Sequence, residues 1–183
     1  MKAISMIGMA GSGKSLVGRN LANKLGYSYI STGDLARKLK ENEWLLTGNL
    51  APENLIRDLF LKEVKILLLN GCKGVVVDGI PRIADQVNFL VDTFNEILFI
   101  DIYVQESVAI KRLCNRNRTD DNLLEIGKRI EIFNNNICRI CSRIQDFIKK
   151  DEDCYSYISY DNNGEEFNVD SLVNVIIANF KQK

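Results

Sequence analysis

Short, strongly apolar runs alternate along the chain with longer amphipathic ones. Five short runs stand out: Ala3 to Ile7, Tyr27 to Ile30, Val75 to Val77, Ile97 to Tyr103 and Tyr155 to Tyr160. Their length and apolar character predict strands buried on both faces of a parallel sheet. Between them apolar positions recur every three or four residues, the helical period. Val17, Leu21 and Leu25 share one face, and Pro52 opens a helical pattern that runs to Leu69, where Asn70-Gly71 ends it. The longest stripe reads Leu123, Ile126, Ile130, Phe133, Ile137, Ile140, Ile144, Phe147, and Asn122 with Glu125 predicts a capping pair at its start. A coiled coil also suits this stripe, but one helix packed on a core is the commoner arrangement. Val169 to Phe180 predicts a final amphipathic helix. The βαβα order predicts a doubly wound α/β domain with a five-stranded parallel sheet, undivided by repeats or linkers.

Composition narrows the chemistry. The 183 residues suit one domain, residues 1–183, and a hydrophobic content of 46% is enough for one core. Lys+Arg and Asp+Glu both number 24, so the formal net charge is zero. The basic excess of a general nucleic-acid binder is missing, and any anion site must be built locally. The absence of His excludes Ser-His-Asp hydrolases, Cys-His proteases and His-ligated metal centres. Five cysteines, an odd number in an ordinary composition, do not read as a disulfide framework. No signal-peptide pattern opens the chain, and no apolar run approaches the ~20 residues that span a bilayer. The expectation is a cytoplasmic protein that contacts no membrane.

Gly8-Met9-Ala10-Gly11-Ser12-Gly13-Lys14-Ser15 matches G-x-x-x-x-G-K-[ST], directly after the first strand and at the opening of a helix. Glycines let consecutive N–H groups turn around phosphate oxygens, and the helix N-terminus adds the positive end of its dipole. Ala10, Gly11, Ser12 and Gly13 are the candidate cradle for ATP. Lys14 is placed to reach the β- and γ-phosphates and Ser15 to ligate Mg²⁺. Asp78, at the end of the Val75–Val77 strand, is the candidate carboxylate for that Mg²⁺, through a bridging water.

A phosphate loop says little about the acceptor. Three stretches bear on it: Ser31-Thr32-Gly33-Asp34-Leu35-Ala36-Arg37, Asp78-Gly79-Ile80-Pro81-Arg82 with Gln86 beyond, and Arg112, Arg116, Arg118 and Arg129 around Thr119-Asp120-Asp121-Asn122. Phosphoryl transfer spreads charge over the equatorial oxygens, and planar guanidinium groups bind phosphate bidentately. One such Arg reads as a solvated surface side chain; the set together with the phosphate loop reads as a site.

These segments resemble the adenylate kinase family of nucleoside monophosphate kinases, in order and over nearly the whole chain. Ser31 to Arg37 is similar to its S-T-G-D-L-L-R segment, Asp78 to Arg82 to its D-G-F-P-R, Leu46 to Pro52 to the lead into its monophosphate-binding helices, and Arg118 to Asn122 to the end of its lid. The resemblance implies a P-loop three-layer fold, a helical monophosphate-binding insert near residues 32–70 and a short lid near 112–121. It implies transfer between ATP and AMP with Mg²⁺, in a monomer. Catalytic roles would fall to Lys14, Arg82, Arg112, Arg116, Arg118 and Arg129. Arg112 and Arg116 would approach ATP, and Arg37 and Arg82 would hold the acceptor phosphate beside Gly79. Thr32 and Gln86 would read the base, and Arg118 and Arg129 would bridge the substrates. Gln86 and Thr32 favour AMP, because pyrimidine-specific relatives tend to carry Asn and Ala there. Asn163-Gly164 is a weak match to the loop at the ATP base.

Ala10 stands where the family usually has Pro, Ser15 where it often has Gly, and Ile80 where it has an aromatic residue. Only Asn117 separates Arg116 from Arg118, a minimal lid that predicts weaker closure and some ATP hydrolysis. Cys138 and Cys141 form a C-x-x-C inside a helical pattern, so no structural zinc is expected. Kinases of another nucleoside monophosphate remain open. So does a kinase of a small metabolite such as shikimate, although that family expects Asp-x-Asp after the second strand. A nucleotide-binding regulator without turnover is the third reading, opposed by the full arginine set.

Overall fold

The structure is a computed structural model that describes residues 1–39, 49–116, 122–164 and 169–181. Five strands, β1 (Lys2–Ile7), β2 (Ser28–Ser31), β3 (Gly74–Asp78), β4 (Glu96–Tyr103) and β5 (Tyr155–Asp161), form one sheet in the order β2-β3-β1-β4-β5. Every pairing is parallel. Seven helices are seen among the described residues: α1 (Lys14–Leu25), α2 (Thr32–Arg37), α3 (Glu53–Leu69), α4 (Asp85–Thr93), α5 (Glu106–Cys114), α6 (Leu123–Lys150) and α7 (Val169–Lys181). The strand order reverses at β1, which opens a crevice beyond its carboxyl end, where open α/β sheets bind ligands.

The pleat sorts each strand's side chains to opposite faces. Ala3, Ile7, Val75, Val77, Ile97 and Phe99 meet Phe60 of α3, Phe89 and Leu90 of α4, and Ile140 and Ile144 of α6 in one core. Ile4, Met6, Val76, Leu98, Ile100 and Ile102 meet Val17 and Leu21 of α1 and Val173 and Ile176 of α7 in the other. Both faces are covered, so the strands read as apolar runs without alternation. Phe60 meets the edges of Phe89 and Phe94 at centroid distances of 5.6 and 6.1 Å.

The pattern-based expectations differ from the structure in two places, at Leu123 and at α4. Leu123 does not join the buried stripe of α6: it is 70% exposed, because the first helical turn projects past the core and Ile126 and Ile130 pack on Leu113 instead. Pro52 stands at the start of α3 as its N-cap, as expected, and its carbonyl accepts the Ile56 N–H. Helix α4 has too short an apolar stripe to stand out in the sequence; Val87, Phe89 and Leu90 form it by packing on the sheet. The capping box at α6 is present, with Asn122 Oδ1 accepting the Glu125 N–H and Glu125 Oε2 accepting the Asn122 N–H.

All five cysteines are free thiols, and Cys138 and Cys141 lie one turn apart on α6. Among the described residues no three His, Cys, Asp or Glu side chains gather as metal ligands, and no helix is long and apolar enough to cross a membrane. Part of the expected insert, 40–48, and half of the expected lid, 117–121, lie outside the described residues.

Candidate active site

The loop between β1 and α1 wraps the first turn of α1. Its tight curvature depends on glycine: Gly11 has φ +83°, and a Cβ there would stand 2.6 Å from the carbonyl oxygen of Ala109. The Ser12 N–H closes the turn on the Met9 carbonyl at 3.2 Å. Lys14 folds back so that Nζ donates to the same carbonyl at 3.1 Å, poised over the loop mouth. From below, the buried Asn162 donates through Nδ2 to the Ser12 carbonyl at 2.7 Å. Arg112 in turn donates to the carbonyls of Asn162 (3.0 Å) and Gly164 (3.2 Å), which joins α5 to the segment after β5.

Beside the loop stands Asp78, the last residue of β3 and 3% exposed. Its Oδ2 accepts hydrogen bonds from Ser15 Oγ (2.5 Å) and from the Tyr29 hydroxyl (2.7 Å), while Oδ1 is buried with no hydrogen-bond partner. Burial, followed by the neighbouring Asp78 charge, pushes the Tyr29 phenol above its ordinary pKa, so it remains a donor. Next in the chain, Gly79 takes φ +87°, and a Cβ there would meet Thr32 Oγ1 at 2.5 Å. That close approach lets Thr32 Oγ1 donate to the Asp78 carbonyl at 3.3 Å.

A single cavity of about 680 Å³ joins these groups to the arginines. Ala10, Gly11, Gly13, Lys14 and Ser15 wall one end; Thr32, Arg37, Asp78, Gly79, Arg82 and Gln86 wall the other; Arg112, Arg116 and Arg129 close the side. Among the described residues seven cationic side chains line it against two carboxylates, Glu53 and Asp78. A chain of zero net charge thus concentrates positive charge in one cleft. Arg82 is exposed to the cavity but packed about by protein. Desolvation, then the nearby Arg129 and Arg37, hold its pKa below the ordinary value, while Asp78 opposes them. Guanidinium remains charged regardless. Three cations this close repel one another, and an anion between them relieves that repulsion.

Local bonds set the arginines. Arg82 Nε donates to the Gly79 carbonyl (2.9 Å), and the Arg82 N–H is accepted by Gln86 Oε1 (2.7 Å). Asp34 accepts from Arg37 through Oδ1 (2.5 Å) and from Arg19 through Oδ2 (2.7 Å). Burial alone would raise the Asp34 pKa, but the Arg37 bond and the two positive charges outweigh it and hold the carboxyl below its usual range.

Two expected site residues stand apart. Ser12 is not among the cavity-lining residues: its side chain is fully buried, and its N–H closes the turn. Arg118 lies outside the described residues. Three residues escaped the sequence reading. Tyr29 sits inside a strand run, where only the register Ser31↔Asp78 brings it to the carboxylate. Arg19 follows the loop motif by four residues and also lines the cavity. Asn162 adjoins the weakly matched Asn163-Gly164 and carried no signal of its own.

Comparison with known proteins agrees with this geometry. Residues 7–127 match the AAA domain family. The adenylate kinase of Encephalitozoon cuniculi is 30% identical over 142 residues, 72% of this chain and 76% of the relative. That of Prochlorococcus marinus strain MIT 9301 is 32% identical over 146 residues, 72% of this chain and 78% of the relative. One of the adenylate kinases from Porphyromonas gingivalis is 29% identical over 153 residues, 74% and 78% respectively. With a phosphate loop at the switch point of a parallel sheet and relatives matched over most of both chains, this protein belongs to the adenylate kinase family of P-loop nucleoside monophosphate kinases, and is by class a phosphotransferase.

Proposed function

We propose that the protein catalyses ATP + AMP ⇌ 2 ADP with Mg²⁺, by direct in-line transfer without a covalent enzyme intermediate. The convergence of Arg37, Arg82 and Arg129 on the cavity that also holds the phosphate loop carries this reading. A donor site alone needs the loop and its lysine; a second cluster of guanidinium groups across the cleft suits a second phosphate-bearing substrate.

The loop N–H groups and Lys14 bind the donor phosphates, with Arg112 and Arg116 beside them. Arg37 and Arg82 orient the acceptor phosphate, and Arg129, with Arg118, spans the two substrates. Positioning two anions in line, with water displaced, is the main catalytic effect here. Gln86 reads the base: its Oε1 keeps one lone pair beyond the Arg82 bond and its amide N–H groups can donate, the pairing an adenine edge requires. Thr32, which lines the same cavity, would sit at the base with it.

Mg²⁺ fits the residues present. Ser15 and Asp78 offer hard oxygen donors, and the buried, unpartnered Oδ1 of Asp78 is an acceptor awaiting a cation or its water. Ser15 can donate to Asp78 and ligate through a lone pair at once. The metal, when bound, neutralises phosphate charge.

The test is a panel in which ATP is offered with AMP, CMP, UMP, GMP, dTMP and shikimate, beside an ATP-alone control. ADP formation fastest with AMP is expected. Faster turnover with another acceptor would replace the AMP assignment, and none above the control would leave a binding protein.

A further inference from the structure

The Asp78 carboxylate is held from two sides through one oxygen. Ser15, at the start of α1, donates to Oδ2, and so does Tyr29 from the adjacent strand β2. The other oxygen is buried and unpartnered. A carboxylate's terminal torsion is soft and roughly two-fold, so hydrogen bonds decide which oxygen faces which way. One donor leaves the group free to rock about that bond. Two donors on the same oxygen from different elements settle its plane. Tyr29 is itself braced: the Arg19 guanidinium lies 4.4 Å over its ring while donating to Asp34 at 2.7 Å.

We infer that Tyr29 is a positioning residue for the metal-holding carboxylate, its hydroxyl fixing Asp78 so that Oδ1 stays presented to Mg²⁺ or a metal-bound water. The inference rests on the Mg²⁺ assignment made above. Arg19 extends the arrangement as the brace of the tyrosine ring. Groups of this kind, one bond removed from a metal, orient the ligand and change metal affinity or activity by about 10–100-fold when removed. Without such a role Tyr29 is a half-buried aromatic in the α1 core, and its hydroxyl matters equally with and without metal.

Tyr29→Phe separates the two, because it keeps the ring and the Arg19 contact and removes only the donor. ATP affinity is measured by calorimetry with Mg²⁺ and again with EDTA, for wild type, Tyr29→Phe, Asp78→Asn and the double variant. The expected result is a loss of about tenfold in Tyr29→Phe with Mg²⁺ and none with EDTA. Tyr29→Phe then causes no further loss in the Asp78→Asn background, where no carboxylate remains to be oriented. Thermal unfolding of Tyr29→Phe stays within a few degrees of wild type. An equal loss with and without metal, no loss at all, or an undiminished effect in the Asp78→Asn background overturns the inference and leaves the Mg²⁺ assignment standing. A wild-type protein whose ATP affinity ignores Mg²⁺ overturns the assignment itself, and the inference with it.

Discussion

At the end of the cavity proposed for the donor, the backbone does the holding. Ser12 N–H and Lys14 Nζ share the Met9 carbonyl, and Asn162 supports the loop through the Ser12 carbonyl. On the acceptor side the working groups are side chains held by other side chains. Arg37 is fixed by Asp34, itself shared with Arg19, on a helix of only six residues, and both partners of that pair are more than a third exposed. Arg82 is the intermediate case, anchored to the Gly79 carbonyl and to Gln86. The proposed donor cradle is therefore already held by the protein's own hydrogen bonds. Under the proposed function Arg37 would trade the Asp34 carboxylate for a phosphate, and their exposed ion pair contributes little to stability.

Substitutions can break or sharpen that contrast. Lys14→Met removes the cation that the Met9 carbonyl holds at the loop. Transfer is expected to fall by about 10²–10³ or more with the fold intact, measured by turnover beside circular dichroism. Wild-type rates would remove the donor assignment. Arg82→Ala is next: the acceptor KM is expected to rise steeply, with a loss of about hundredfold in kcat/KM for the monophosphate and little change in ATP affinity. An unchanged response to acceptor concentration would point to a different acceptor.

Asn162→Ala strikes the donor side from beneath. Leaving the Ser12 carbonyl short of its buried partner costs about 1–3 kcal/mol of stability and weakens ATP binding, while acceptor affinity holds. Denaturant unfolding and separate titrations of the two substrates check it. Gln86→Asn shortens the reach to the base and is expected to lower the preference for AMP over CMP by only a few-fold, read from the ratio of kcat/KM values; unmoved selectivity means the base is read elsewhere.

Asp34→Asn has the smallest expected effect. The folded carboxyl is held below its ordinary pKa, so its stabilising contribution is complete above the unfolded value of ~3.9 and fades as pH falls through the lower folded one. Acid unfolding followed by fluorescence shows a slightly flatter decline in the variant below about pH 4, and less difference at high salt.

The sequence revealed the parts of the site unevenly. The phosphate loop is contiguous, with geometry dictated by its own glycines, so Gly8 to Ser15 could be read directly. Even there the sequence did not say where the Ser12 side chain would lie, because whether a loop side chain faces the cleft or the core depends on what packs beneath it, and Asn162 is 150 positions away. Arg37, Arg82, Arg112, Arg116 and Arg129 were recognisable as a set, yet nothing local says that they share a cavity. The helices told the same story: α6 had eight periodic positions and stood out, whereas α4 had too few.

The chain by itself determined its strands, its long helices, the phosphate loop and the family of reactions, because each is written in a local period or a contiguous motif. Only the tertiary structure decided what surrounds Asp78. The β2–β3 register sets Ser31 opposite Asp78 and so carries the Tyr29 hydroxyl to the carboxylate, while α1 brings Ser15 to the same oxygen. Hydrogen bonds between elements, strand to strand and helix to strand, join residues 49 and 63 positions apart. No spacing along the sequence encodes them; they exist because two buried faces of one sheet had to be filled at once.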